Sequence, residues 1–254
     1  MLHFTDGELS AWIAAWFWPF CRIAALFGTA PILQDASVPQ RVKIGLAVLI
    51  AALIAPGIEV PANVPTLSGG GLLLTAQQLL IGASLGLTMR LAFAAMELAG
   101  DLIGLQMGLG FTLFFDPENS AQTPLIGSFL GMLGGLIFLA LNGHLMMIAA
   151  VTESFYSLPL APGGSLSLDW HALALQGATV FSIGLHLALP VLATLLLTNL
   201  ALGVLTRAAP QLNLFSVGFP LTLLVGVAAL AFAMPYMEPL MERYLAETIQ
   251  RLAR

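Results

Sequence analysis

The residues that could do chemistry are few, and the first set has the spacing of a serine nucleophile. Gly82-Ala83-Ser84-Leu85-Gly86 matches the pattern G-x-S-x-G, and His144 and His186 lie within apolar runs, so an intramembrane serine protease is one hypothesis. The nucleophile elbow, however, belongs between a strand and a helix, whereas Ser84 lies inside an apolar helical run. A packing face made by Gly82 and Gly86 explains the pattern more simply.

The second set is ionisable. Glu97 and Asp101 are four residues apart on one helix face, and Arg22 lies within the first apolar run. Such groups in membrane segments face a partner or a cavity, which allows a proton relay but favours structural pairing with another helix or subunit. Asn142-Gly143-His144 interrupts an apolar run and is interpreted as a polar interhelical contact. With no H-E-x-x-H spacing and no phosphate-binding loop, we expect neither an enzyme nor a metal or cofactor.

The composition is that of a membrane protein. Hydrophobic residues make up 59% of the 254 residues and charged residues only 8%, against about 25% charged residues in soluble domains. The formal net charge is -5, and no basic patch could neutralise a nucleic-acid phosphate backbone, so nucleic acid is not an expected partner. Cys21 is the single cysteine, which excludes a disulfide framework. The first ten residues contain no Lys or Arg, so we expect an uncleaved chain rather than a signal peptide.

The apolar residues form seven runs separated by Pro- and Gly-rich breakers, and no strand-length alternation occurs. We therefore predict an all-α, multi-pass integral membrane protein in contact with lipid, built of packed helical hairpins as one unit over residues 1–254. The run that contains Pro190 is expected to be broken there. The seven runs are Ala11–Leu33, Ile44–Ile58, Leu72–Met89, Leu91–Phe115, Leu125–Val151, Ala172–Leu205 and Val217–Met237.

The basic residues between the runs predict a topology. Arg41, Lys43, Arg90 and Arg207 all fall on the cytoplasmic side if Leu91–Phe115 enters the membrane and returns on the same side. If that run spanned instead, Arg207 would lie outside. The charge distribution therefore favours a re-entrant loop, with Arg90 in the connection before it.

The glycines around this segment predict a tight hairpin over residues 100–135. Glycine recurs every four residues on both sides of the stretch GLGFTLFFDPENSAQTP, residues 108–124, and such rows let helix backbones approach closely. Taken alone, the glycine rows are explained more simply by ordinary helix–helix packing. The expected packing residues are Gly100, Gly104, Gly127, Gly131 and Gly135.

A second turn is predicted after Arg207, where a cation suits the C-terminal end of a helix and Pro210 ends it. We interpret this turn as a hairpin tip that contacts neighbouring subunits. The expected contact residues are Arg207, Pro210, Gln211 and Asn213.

Four motifs in one order resemble the FliR family of flagellar export proteins. They are GLQMGLGFTLFFDP (residues 104–117), NSAQTP (119–124), FLALNGHLMMI (138–148) and LTRAAPQLNLFSVGFP (205–220). The match covers nearly the whole chain, and the related injectisome proteins are less similar to it.

The resemblance implies a core subunit of the type III protein export gate in the bacterial inner membrane, at the flagellar basal body. The implied partners are FliP-like and FliQ-like subunits, with FlhB and FlhA beside them, and the cargo is unfolded flagellar protein. The family's loop at residues 108–124 projects into a pore as a plug, and an apolar constriction seals by dewetting. The matching plug residues are Leu109, Phe111, Leu113, Phe114 and Phe115, and the expected hinge residues are Gly108, Gly110, Pro117 and Pro124.

A small secondary transporter is the alternative from a different class. It is favoured by the broken runs and the intramembrane ionisable residues, but inverted sequence halves, which would support it, are not visible.

Overall fold

A computed structural model describes residues 6–34, 38–58, 68–111, 124–160, 170–209 and 214–252, and within them all regular secondary structure is helical. Two short 3₁₀ helices, Ala55–Gly57 and Leu109–Phe111, follow α2 and α3. The α-helices are α1 (Asp6–Thr29), α2 (Gln40–Ile54), α3 (Gly69–Gln106), α4 (Leu125–Ala140), α5 (Gly143–Ser157), α6 (Trp170–Ala208) and α7 (Leu214–Leu252).

The predicted all-α membrane fold is confirmed. Four stretches of the described chain are helical, long and apolar enough to cross a membrane: Gln40–Gly57, Gly69–Gln106, Trp170–Ala208 and Val217–Thr248. Helices α4 and α5 form a bent pair that meets the same test as a broken span or re-entrant loop. The break lies at Asn142, whose left-handed φ of 56° interrupts the helix where the sequence predicts an interruption.

The predicted break at Arg90 is wrong. Helix α3 runs through this position as one helix of 38 residues, so Leu72–Met89 and Leu91–Phe115 are not separate segments. Neither glycine nor proline flanks Arg90. Its guanidinium instead extends from the side of the helix and donates a hydrogen bond of 2.9 Å from Nη1 to Oε1 of Gln34. A long cationic side chain can reach a polar region without ending its helix. Among the described residues, the α4–α5 pair is the one with the form of a broken span or a re-entrant loop.

The predicted break at Pro190 is also wrong, because α6 continues through it as a helix of 39 residues. Helix α7 likewise contains Pro220, Pro235 and Pro239. Proline removes one backbone hydrogen bond, but membrane helices tolerate this where neighbouring groups satisfy the freed carbonyl. Each of the three long helices spans about 57 Å at 1.5 Å per residue, well beyond a hydrocarbon core of about 30 Å.

The described residues form two compact units. The first comprises those of Met1–Leu91, Asn142–Leu175 and Ala246–Arg254, and the second those of Ala92–Leu141 and Gln176–Leu245. In the first unit α1, α2 and α5 share an apolar core that includes Phe27, Ile50 and Phe155.

Candidate functional site

The second unit contains the predicted glycine-lined hairpin, formed by the last part of α3 and by α4. A Cβ atom at Gly100 would lie 2.5 Å from the Cα atom of Gly127 and 2.5 Å from the carbonyl oxygen of Ile126. At Gly104 the nearest atom would be Cγ1 of Ile126, at an ordinary 3.7 Å. The two backbones therefore meet at Gly100, and one turn later they are already further apart.

The glycines of α4 accommodate side chains of α3. A Cβ at Gly127 would contact the Asp101 carboxylate, and one at Gly131 would lie 3.0 Å from Cγ of Glu97. The acid pair noted in the sequence therefore lies along the glycine face of α4. Among the described residues, Oδ1 of Asp101 is buried and has no hydrogen-bond partner.

Gly134 belongs to the same contact, although it lies outside the four-residue row. A Cβ there would contact Sδ of Met96, whereas at Gly135 the nearest atom is Cε1 of Phe93 at 3.9 Å. Phe93 also packs edge-on against Phe138, with ring centroids 5.7 Å apart. The signal in the sequence was the adjacent glycine pair at positions 134 and 135.

The base of the hairpin tip is held by a contact that the sequence did not indicate. The hydroxyl of Thr222 in α7 shares its one proton between two carbonyl oxygens, that of Phe219 in its own helix at 3.0 Å and that of Met107 at 3.3 Å. A Cβ at Gly226, one turn further along α7, would lie 2.6 Å from Cγ of Met107. Met107 itself is 1% exposed. The chain is thus clamped directly before the predicted plug.

The clamp is followed at once by a change of backbone direction. Gly108 has a φ of 88°, in the left-handed region that glycine adopts without strain. Leu109–Phe111 then forms a 3₁₀ helix in which Leu109 is half-buried. Pro124 precedes α4 and accepts a hydrogen bond of 2.8 Å from the Ser128 N–H.

The remaining predicted tip residues are Leu113, Phe114, Phe115 and Pro117, and they lie outside the described residues, as does the side chain of Phe111.

Arg22, in the first unit, is fully buried in a polar cluster between helices. Its Nε donates to Oε1 of Gln78 in α3 at 2.7 Å, and Nη1 donates to the carbonyl oxygen and Oγ of Ser154 in α5 at 2.6 and 2.9 Å. Nη2 donates to the carbonyl oxygen of Leu158 at 2.8 Å, and the guanidinium lies 4.0 Å from the centroid of the Phe155 ring. This geometry joins three helices and indicates a structural role.

The serine pattern does not form a nucleophile elbow. Ser84 lies within α3 and donates a hydrogen bond of 2.8 Å from its hydroxyl to the carbonyl oxygen of Ile81. A Cβ at Gly82 would contact the backbone of Arg22, and one at Gly86 would contact Thr29. Both glycines therefore form the α1–α3 packing face that the sequence favoured.

The two histidines inside apolar helices are exposed. His186 has Nδ1 2.8 Å from the carbonyl oxygen of Ser182 in its own helix. Among the described residues, no group of three or more His, Cys, Asp and Glu side chains could hold a metal ion.

The second predicted turn is described only at its start. Arg207 lies in the last turn of α6 and is exposed, while Pro210, Gln211 and Asn213 lie outside the described residues.

Comparison with known proteins decides the family. The family described as bacterial export proteins, family 1, matches residues 13–248. The chain belongs to this family.

Its similar relatives are named flagellar biosynthetic protein FliR. That of Pectobacterium carotovorum subsp. carotovorum is 47% identical over 253 residues, covering 100% of this chain and 97% of the relative. That of Escherichia coli strain K12 is 46% identical over 254 residues, with the same coverage. That of Bacillus subtilis strain 168 is 31% identical over 236 residues, covering 92% of this chain and 91% of the relative. The resemblance of the four motifs to FliR is therefore confirmed.

This bacterial export protein is thus a helical membrane protein of the flagellar export apparatus. The helices that the transporter alternative takes to be broken are continuous at Arg90 and Pro190. Among the described residues, the α4–α5 break and the ionisable residues within apolar helices still favour it.

Proposed function

We propose that this family member is a core subunit of the flagellar type III export gate in the inner membrane, where it forms and plugs a protein-conducting pore with FliP-like and FliQ-like subunits. FlhB and FlhA lie beside this assembly, and unfolded flagellar proteins pass through it. The tip segment between α3 and α4 is the plug.

The observation that carries this proposal is the contrast between the hairpin and its tip. The backbones of α3 and α4 touch at Gly100 and Gly127, and α7 clamps Met107. Between Gly108 and Pro124 the sequence changes from apolar to polar, with Leu109 and three phenylalanines in its first half. A rigid base that carries a short apolar segment suits a seal that must move aside for cargo and return.

The exposed apolar surface and one buried acid also support assembly with other subunits. In α4 the exposed side chains Leu125, Met132 and Leu136 lie on the helix away from the glycine face. Oδ1 of Asp101 has no partner among the described residues, and a buried carboxylate oxygen without a hydrogen bond is costly. A neighbouring subunit would cover the apolar side chains.

Shortening the segment Gly110–Phe115 tests the plug. The assembled complex is expected to form at normal yield, because Met107 and the Gly100–Gly127 contact lie outside the deletion. Cells making the whole gate should then grow slowly and take up small ions and solutes faster. Changing Phe114 and Phe115 to Ser should give a milder leak because water can wet the constriction, while Leu at both positions should leave the seal intact.

Phe232→Ser is the matched control, since this phenylalanine is 80% exposed in α7 and lies outside the tip. It should cause no leak. An intact complex that lacks Gly110–Phe115 and still seals like the parent would refute the plug and make the tip a packing element.

A further inference from the structure

An apolar groove on the first unit lies between α1 and α2. Its volume is about 290 Å³, and its walls are four side chains of α1 and two of α2. The α1 residues recur at spacings of 3, 1 and 3, which places them on one helix face. The lining residues, all apolar or aromatic, are Ile13, Trp16, Phe17, Phe20, Val48 and Ala51.

The side chains that line the groove are bulky rather than small. Ile13 is 46% exposed and Val48 48%, and the two aromatic residues Trp16 and Phe17 stand beside them, while Ala51 is buried at the floor. Helix–helix contacts in membranes are enriched in small residues that let backbones approach. A rim of aromatic and branched side chains instead leaves a narrow channel that suits a flexible hydrocarbon chain.

One end of the same unit is cationic. Arg41 and Lys43 lie in the first turn of α2, and Arg41 shares the helix face of Ile44, Val48 and Ala51 by its spacing. Arg90 comes to this end from the middle of α3, because it donates its hydrogen bond to Gln34, in the connection between α1 and α2.

The distance between the cations and the groove matches one membrane leaflet. Ten residues of α2 separate Arg41 from Ala51, a rise of about 15 Å. Half of a hydrocarbon core of about 30 Å is also about 15 Å. A phosphate at Arg41 would therefore place its acyl chain along the groove walls.

We propose that this face binds an anionic phospholipid, with its headgroup phosphate at Arg41 and Arg90 and one acyl chain in the α1–α2 groove. Asp35, which lies outside the described residues, is the one acid in the sequence between Gln34 and Arg41, so positive charge predominates at the headgroup end. The site is separate from the hairpin tip and does not depend on the plug.

Native mass spectrometry of the full chain, extracted with its co-purifying subunits, tests the headgroup. Phosphatidylglycerol and phosphatidylcholine of equal chain length are added separately, and retained lipid is counted. Phosphatidylglycerol should be retained preferentially, and Arg41→Gln should weaken its retention about fivefold, because one cation near an anionic surface contributes about that factor. Arg243→Gln, at an exposed cation of α7, is the matched control and should leave this retention unchanged.

The acyl chain is tested separately. Val48→Trp should fill the groove and reduce retention of both lipids, whereas Val204→Trp, on the exposed face of α6, should not. Phosphatidylglycerol brominated in its chains should quench tryptophan fluorescence less in the Trp16→Phe variant than in the parent.

Three results would overturn the proposal. Equal retention of the two lipids would exclude headgroup recognition, and equal quenching with and without Trp16 would exclude a chain in the groove. A photoreactive residue at position 48 that labels a protein rather than a lipid would make this face a subunit interface.

Discussion

The Gly100–Gly127 contact allows a sharp test, because two glycines one turn apart in α3 should respond oppositely to the same substitution. At Gly100 the three atoms nearest to an added methyl group would all be backbone atoms, at 2.5 to 2.6 Å, where ordinary contacts begin near 3.4 Å. The helices would have to separate by about 1 Å, and overpacking of this kind costs about 1–3 kcal/mol. At Gly104 the methyl group would lie 3.7 Å from Cγ1 of Ile126, which is an ordinary contact.

Apart from these contacts, replacing glycine by alanine has the same intrinsic effect on stability at both positions. Replacing glycine in a helix interior by alanine stabilises by about 0.5–1 kcal/mol, because the unfolded chain loses conformational freedom. Gly104→Ala should therefore stabilise slightly, and Gly100→Ala should destabilise by about 1 kcal/mol after this gain is included. Because the intrinsic gain is common to both, the two variants should differ by the overpacking cost alone, about 2 kcal/mol, or roughly 4–8 °C in Tm for a chain of this size.

The assay is thermal unfolding of the full chain in detergent, together with its co-purifying subunits, followed by loss of soluble protein. Gly203→Ala is the control for the intrinsic effect, since a Cβ at Gly203 has no neighbouring atom within 4 Å. It should match Gly104→Ala. Equal Tm values for Gly100→Ala and Gly104→Ala would show that the backbones do not meet at Gly100, and the hairpin geometry would be refuted.

Two further predictions concern arginines. Arg22→Lys should destabilise the chain by about 3 kcal/mol, because an ammonium cannot reach Gln78, Ser154 and Leu158 together and about two charged hydrogen bonds are lost. Arg90→Lys is the control: this exposed side chain makes a single hydrogen bond, so stability should change by less than about 0.5 kcal/mol. Equal losses of Tm in the two variants would contradict the role of the buried cluster. Arg207→Glu should reduce the yield of complex that co-purifies with FliP-like and FliQ-like subunits, while whatever complex forms still exports protein. Normal yield with lost export would assign Arg207 to transport instead.

Hydropathy was sufficient to predict the helical class, because a chain with 8% charged residues can satisfy its backbone in a membrane only through regular structure. It was insufficient to place the helix ends. Arg90 and Pro190 look like boundaries in the sequence, yet both lie inside helices. A side chain can reach a polar group from a continuous helix, and tertiary neighbours compensate for a missing backbone hydrogen bond.

In the candidate site, too, the sequence predicted the features that depend on local patterns but not those that depend on distant residues. Glycine recurs every four residues in each of the two helices that flank the tip, and these rows include Gly100 and Gly127. Because such rows are local patterns, the sequence predicted that the two helices could approach closely. The clamp on Met107 comes from Thr222, 115 residues later, and the partners of Arg22 lie 56 to 136 residues away. No periodicity encodes such pairs. The buried arginine was therefore visible as an unexplained charge but not as the centre of a cluster.

The clamp also limits where the tip can move. Met107 is 1% exposed and held by α7, whereas Gly108, directly after it, has a left-handed backbone that only glycine adopts without strain. The hydrogen bond from the Gly108 N–H to the Leu105 carbonyl oxygen, at 3.1 Å, closes the last turn before this change of direction. If the tip moves while α3 and α7 stay in place, we expect the displacement to begin at or after Gly108. In this hypothesis the packing of Met107 sets the start of the hinge, because it holds the residue directly before the glycine.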